Sequence, residues 1–124
     1  MARLFKSSEA KRLELPGRVS LEPISGETGS RITLRIVEIP PAKPGDKPRG
    51  PHLHDGFEEV IYVLSGTGTT HAESGEIPIK PGDLVLIPAG EKHMTQNTGE
   101  VPLLLLCFFP VPDVSAGTTE FASF

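Results

Sequence analysis

Short alternating runs of apolar and polar residues, most of them ended by glycine, proline or serine, make up most of this chain. The clearest alternation runs over residues 31–39, where Ile32, Leu34 and Ile36 share one face of a predicted strand. Val37-Glu38-Ile39 inverts that phase, and a β-bulge would explain the inversion. Further strands are predicted at residues 19–22, 59–64, 67–72, 84–87, 92–97 and 103–109. Because helical periodicity is nearly absent, the sequence predicts an all-β fold.

The remaining segments divide the chain into a core with two flanking ends. Residues 40–51 contain five prolines and are predicted to be a loop, because proline cannot donate to a strand ladder. Residues 8–15 could form one or two helical turns, and the tail from residue 110 on is expected to be poor in structure. A length of 124 residues fits one domain. We expect a single domain over 1–124, with a core at about 30–110, an N-terminal arm at 1–29 and a C-terminal tail at 111–124.

The run from Leu103 to Phe109 is apolar at every position, so both faces of this strand need cover. One set, taken here as Leu104, Leu106 and Phe108, is predicted to face the interior. The other set would be covered by a second copy of the chain in a homodimer, or by apolar residues of the N-terminal arm within one chain. That other set is Leu103, Leu105, Cys107 and Phe109, and the arm residues are Leu13, Leu15, Val19 and Leu21.

Composition excludes several partners and compartments. The net charge is -4 with scattered charges, and tryptophan is absent, so we expect no nucleic-acid partner. The single cysteine, Cys107, cannot form an internal disulfide and suits a reducing compartment. The N-terminus does not read as a signal peptide, and the longest apolar run is too short to span a bilayer. The sequence therefore predicts a cytoplasmic protein with no membrane partner.

Two stretches carry candidate metal chemistry. His52 and His54 lie two residues apart, so on a strand they point to the same face, and Glu59 can close on the same point across a turn. Further along, His93 comes three residues after the tight turn at Pro88 to Gly90.

These stretches resemble the two motifs of the cupin superfamily, G-x5-H-x-H-x(3–4)-E-x6-G and G-x5-P-x-G-x2-H-x3-N. One departure is visible, because Asp46 stands where the leading glycine is expected. The first motif also permits a three-residue spacer, which would select Glu58; the six residues before Gly66 favour Glu59. The other matched positions are His52, His54, Gly82, Pro88, Gly90, His93 and Asn97.

The resemblance covers about residues 30–110. It implies a small double-stranded β-helix, or jelly-roll barrel, that holds one metal ion through His52, His54, Glu59 and His93. Three imidazoles and a carboxylate suit one divalent transition metal ion, namely Mn, Fe, Ni, Co, Cu or Zn. Four protein ligands on an octahedral ion leave room for water or a substrate.

Several other polar residues have simple structural interpretations. His71 has no place in the motifs and is expected on the surface of a strand. Asn97 is expected to fix a turn rather than touch a metal, and Cys107 to be a small buried residue. Arg35 could face into the barrel and hold a carboxylate. The basic residues before the site could attract an anion, although a solvated loop is the simpler expectation; they are Lys43, Lys47 and Arg49.

The family resemblance leaves the function open, because cupins include several kinds of enzyme and binding protein. The first hypothesis is an enzyme, such as a metal-dependent dioxygenase, isomerase or lyase, acting on a small organic molecule bound at the metal. The alternative is a non-catalytic module that binds or senses a small ligand such as a carboxylate or sugar. A structural or storage role is the least favoured. No residue of the sequence can be named as a catalytic acid or base.

Overall fold

Two antiparallel sheets make up the fold, and the predicted all-β jelly-roll class is confirmed. The computed structural model describes residues 1–46 and 49–124, so Lys47 and Pro48 of the predicted loop lie outside it. Short 3-10 turns occur at Ser7–Glu9, Gly26–Thr28 and Ser115–Gly117. The strands are β1 (Lys11–Leu13), β2 (Val19–Ile24), β3 (Thr33–Ile39), β4 (His52–His54), β5 (Glu59–Ser65), β6 (Gly68–Ala72), β7 (Gly75–Ile79), β8 (Leu84–Ile87), β9 (His93–Asn97), β10 (Leu103–Phe109) and β11 (Thr118–Glu120).

The larger sheet has six strands in the order β1-β2-β3-β10-β5-β8, and the smaller has five in the order β11-β4-β9-β6-β7. Apolar side chains of both sheets form one buried cluster, with Val63, Leu103 and Leu105 among its most buried members. The strand at the centre of the larger sheet, β10, pairs with β3 on one side and β5 on the other. The described residues contain no helix that is both long and apolar enough to cross a membrane.

The predicted faces of β10 are the wrong way round. Burial alternates strictly along the strand, and the side chains that enter the core are those for which the sequence predicted external cover. They are Leu103, Leu105, Cys107 and Phe109, whereas Leu104, Leu106 and Phe108 lie half-buried on the outer face. A strand that is apolar at every position has no period-two signal of its own. Its faces are therefore set by its pairing with β3 and β5.

The β-bulge suggested for residues 37–39 is absent from the pairing of β3 with β10. The pairing of β3 with β10 runs without a register shift from Thr33 to Ile39, and every second residue of β3 points inward. Thr33 and Arg35 therefore lie on the inner side, where the Thr33 hydroxyl donates to the carbonyl oxygen of Val111 at 2.8 Å.

The N-terminal arm is mostly extended. Residues 8–15, for which helical turns were considered, form only the end of a 3-10 turn followed by β1. This strand and β2 extend the larger sheet beside β3, so they do not cover the outer face of β10. The strand predicted at residues 19–22 is present as β2, whereas β1 was not predicted.

The C-terminal tail carries more structure than predicted. Residues 118–120 form β11, which pairs with β4 and places Thr118 opposite His54. Three residues are too few to show a strand pattern in the sequence. The strand β7, whose residues are mostly exposed, was also not predicted.

The turns around the core follow the residues that the sequence singles out. Gly66 adopts a φ of 83°, and a side chain there would meet the backbone of Pro102 and Leu103, so only glycine fits. Asn97 fixes the turn after β9 as expected, because its amide donates to the carbonyl oxygens of Ile39 and Val101 at 2.9 and 2.8 Å. In the loop before β4, Gly45 takes the positive φ next to Asp46, whose own φ is not positive.

Candidate metal centre

Both sheets contribute to one buried cluster of four side chains. His52 and His54 project from β4, and His93, the register partner of His52, projects from the neighbouring β9. Glu59, the first residue of β5, reaches them from the opposite sheet. One candidate ligand atom from each residue lies within 4.8 Å of the others. The four residues singled out by the motifs are thus brought together in space.

Two of the imidazoles are held in a defined tautomer by partners outside the cluster. The Thr118 hydroxyl donates to the carbonyl oxygen of Val114 at 2.7 Å, so it accepts from Nδ1 of His54 at 2.9 Å. Nδ1 of His93 donates to the carbonyl oxygen of Glu91 at 2.9 Å. With hydrogen on Nδ1, each neutral ring presents its Nε2 lone pair to the cluster. Metal-binding histidines are commonly oriented in this way.

Those two Nε2 atoms meet the same carboxylate oxygen. Oε1 of Glu59 lies 3.2 Å from Nε2 of His54 and 3.0 Å from Nε2 of His93. Two nitrogen lone pairs and a carboxylate oxygen repel one another at these distances unless a cation, either a proton or a metal ion, lies among them. A cation at this point would therefore stabilise the cluster.

The pKa values of Glu59 and His93 are both shifted by their proximity. Burial by itself raises the pKa of Glu59, but His54 and His93, whose Nε2 atoms donate to its carboxylate when those rings are protonated, outweigh burial and hold this pKa well below its usual range. Burial acts in the opposite sense on His93, yet the hydrogen bond to Glu59 and its charge raise the pKa of this imidazole. Both shifts indicate that the cluster favours a positive charge beside the carboxylate.

His52 has a different environment and the same suitability as a ligand. Burial, followed by repulsion from His93, lowers its pKa to about 2, so the ring is neutral. Its Nδ1 atom is buried without a hydrogen-bond partner. A neutral, buried and unsatisfied imidazole beside two others and a carboxylate matches the donor set of a transition metal ion. The residues present therefore fit the metal that the motifs imply.

The neighbouring candidates take no part in the cluster. Glu58 is exposed, as expected for the residue next to Glu59 on an extended chain. His71 lies at the surface of β6, where its ring contacts Glu76 and Gln96. Cys107 is buried and faces the cluster from β10, and burial raises the pKa of its thiol well above the usual range.

A cavity of about 380 Å³ opens from the cluster. In residues 1–46 and 49–124, four buried side-chain polar atoms lack a hydrogen-bond partner. All four line this cavity: Arg18 Nε, Ser20 Oγ, Arg49 Nε and His52 Nδ1. Buried polar groups are normally satisfied, so such a concentration indicates the place of a ligand.

Three arginines line this cavity, and two of them are paired with glutamates. Arg49 was expected in a solvated loop; instead it is largely buried, lines the cavity and pairs with Glu120 of β11. Arg35 faces inward, and its Nε donates to Glu22 at 2.9 Å, so the carboxylate that it holds belongs to the protein. Arg18, just before β2, has no ion pair with any residue that the structure describes.

Sequence patterns did not reveal Arg18 or Ser20 as site residues. Gly17 has a φ of 73°, and the chain after it leads through Arg18 into β2, which carries Ser20. Arg18 and Ser20 lie two residues apart, and both line the cavity. The available sequence signal was this spacing of two residues, together with a serine flanked by Val19 and Leu21.

Comparisons with known proteins agree with this architecture. The family model described as "Cupin domain" matches residues 36–109. An oxalate-binding protein from Thermotoga maritima is 40% identical over 57 residues, which is 46% of this chain and 47% of that protein. A glucose-6-phosphate isomerase from Pyrococcus horikoshii is 34% identical over 64 residues, covering 48% of this chain and 34% of the isomerase. The chain thus matches about half the length of the first relative and a third of the second.

The similarity extends to solved structures. The crystal structure of a predicted oxalate decarboxylase from Thermotoga maritima superposes with a TM-score of 0.72 and 25% identity, covering 88% of this chain and 99% of that one. The oxalate decarboxylase–formate complex from Lactobacillus farciminis gives a TM-score of 0.77 at 24% identity, covering 92% of this chain and 34% of that one. The second likeness concerns the fold alone.

Proposed function

This chain belongs to the cupin domain family, and we propose that it binds one divalent transition metal ion and acts on a small organic anion held beside it. The observation that carries the proposal is the convergence of two Nε2 lone pairs on one oxygen of Glu59. The ligands of the ion are then His52, His54, Glu59 and His93. The anion occupies the cavity that the unsatisfied polar atoms line.

The chain's own residues have distinct roles in this proposal. A bound metal ion would supply Lewis acidity, or a redox centre if it is iron or manganese. Arg49, fixed by Glu120 and with Nε still free, orients an anionic group in the cavity. Apolar side chains of the wall, such as Ile61, Leu105 and Phe109, exclude water and strengthen these charge interactions.

The second candidate function is binding without turnover. It is supported by the similarity to a protein whose name describes oxalate binding alone. The likeness to glucose-6-phosphate isomerases favours turnover instead. Both candidate functions use the same metal and the same cavity. They differ only in whether the protein converts the bound anion into a product.

Metal analysis and calorimetry of the purified protein test the proposal. We expect about one transition metal ion per chain, and binding of formate, acetate or oxalate to the metal-loaded protein that is lost after chelation. The double variant His52→Ala/His54→Ala should no longer hold metal, and full occupancy in this variant would contradict the ligand set. Mass spectrometry of the acids after prolonged incubation, with glucose 6-phosphate as a further candidate, separates the enzyme from the binding module.

We also infer that the protein is a homodimer, formed through the outer face of the larger sheet near β8. This strand lies at the end of the sheet, where Leu84 and Leu86 are 67% and 59% exposed. The adjoining β5 adds Leu64, which is 43% exposed. Soluble monomers rarely expose a continuous apolar patch of this kind, and a two-fold pair is the commonest oligomer. The dimer therefore rests on a different surface from the one that the sequence suggested.

A further inference from the structure

We propose that Arg18, assisted by Ser20, forms a second anion subsite that makes the cavity select small dianions over monoanions. The inference rests on the proposed function, since it assumes a metal ion on the histidine and glutamate cluster. It assigns a role to two residues that the metal site does not use.

Arg18 is the uncompensated charge of the cavity. Arg35 is neutralised by Glu22 and Arg49 by Glu120, whereas no described carboxylate lies within ion-pair distance of Arg18. Its Nε is buried without a partner, and it lines the same cavity as Arg49. Burial, followed by repulsion from Arg49, lowers the pKa of Arg18 to about 10, which still leaves it fully charged at neutral pH. Holding a cation in a largely desolvated place without a partner has an energetic cost, which an anionic ligand would offset.

Ser20 provides an independent sign of a ligand at the same place. Its side chain is completely buried, and its hydroxyl has no hydrogen-bond partner. It lies two residues after Arg18 and lines the same cavity. A hydroxyl and a guanidinium that both point into one space offer several donors to an oxyanion. The Arg18 guanidinium and the Ser20 hydroxyl are therefore suited to donate hydrogen bonds to the oxygens of a bound carboxylate.

The charge of the ligand follows from the groups around the cavity. A divalent ion coordinated by Glu59 retains one net positive charge, and Arg18 adds a second. Arg35 and Arg49 add none, because both are paired with glutamates. A small dicarboxylate neutralises the site when one carboxylate lies at the metal and the other lies near Arg18 and Ser20. A monocarboxylate leaves Arg18 unpaired.

The test compares dianions with monoanions. Metal-loaded wild type and Arg18→Met are titrated calorimetrically with oxalate and malonate, and with formate and acetate, at pH 7. We expect Arg18→Met to bind the dianions about 10- to 100-fold more weakly, since one charged hydrogen-bonding partner is lost. Its affinity for the monoanions should change less than threefold. Ser20→Ala should weaken dianion binding by about tenfold, since one neutral donor is lost.

Two further variants separate the charge of Arg18 from general damage. Arg18→Lys keeps the charge, so it should recover a clear preference for dianions over monoanions. Arg12→Met removes an exposed arginine of β1 and should bind all four acids as the wild type does. Metal content is measured for each protein, and it should stay at one ion per chain.

The outcomes distinguish this inference from the proposed function. An unchanged dianion-to-monoanion ratio in Arg18→Met would overturn the role of Arg18 while leaving the metal site and the cavity in place. A wild type that holds metal but binds none of the four acids would overturn both.

Discussion

Replacing Arg18 with methionine should make the metal-free protein more stable, although it removes a proposed ligand contact. The folded state lowers the pKa of Arg18 from its usual value to about 10. The charged form is therefore disfavoured by folding, and this cost is fully present below about pH 10 and disappears as the pH rises past that usual value. At 1.36 kcal/mol per pKa unit, the cost is roughly 3 kcal/mol. Methionine occupies much of the same space without the charge.

Urea unfolding at pH 7 with a chelator present measures the effect. Because side-chain relaxation and solvent screening recover part of the cost, we expect the free energy of unfolding of Arg18→Met to rise by about 1–3 kcal/mol. The denaturant slope should not change. The matched variant Arg12→Met, at an exposed position, should stay within about 0.5 kcal/mol of the wild type. Equal or lower stability of Arg18→Met would refute the conclusion that Arg18 is a buried, uncompensated charge.

Three other predictions address the metal ligands, their support and the oligomer. Glu59→Gln should reduce metal affinity strongly while Glu58→Gln leaves it near that of the wild type, as measured by competition with a chelating dye; the reverse order would assign the ligand to Glu58. Thr118→Val removes the partner of His54 and should weaken metal binding by about 10- to 100-fold, whereas Thr119→Val, at an exposed position of the same strand, should not. Light scattering should give twice the chain mass of 13.3 kDa for the wild type and a lower mass for Leu86→Lys; a wild-type monomer at all concentrations would exclude the dimer.

The four residues of the cluster could be named from the sequence because the two cupin-like motifs mark them. A spacing of two on a strand places His52 and His54 on one face. The choice of Glu59 and the inclusion of His93 came from the resemblance, through the motif spacings to Gly66 and Gly90. The structure brings these side chains together from three strands of two sheets.

Features that depend on distant partners were not predictable in the same way. The uniform run of β10 contains no alternation, so its inner face is decided by pairing with β3 and β5. An inward-facing Arg35 could be suggested from the sequence, but its partners, Glu22 and the ring of Phe109, could not. Arg18 and Ser20 gain meaning only from the cavity that other strands enclose. The local sequence pattern thus predicts strands and motifs, whereas the packing of distant strands determines which polar residues face the interior.

The docking of β11 against β4 has a consequence for the dynamics of the chain end. When Thr118 strengthens metal binding through His54, reciprocity requires metal binding to strengthen the attachment of β11 by the same free energy. A 10- to 100-fold effect corresponds to about 1.4–2.7 kcal/mol. Backbone amides of residues 118–120 should then exchange hydrogen correspondingly more slowly in the metal-loaded protein. The tail of this cupin would act as a reporter of metal occupancy, with its local opening governed by an ion that it does not touch.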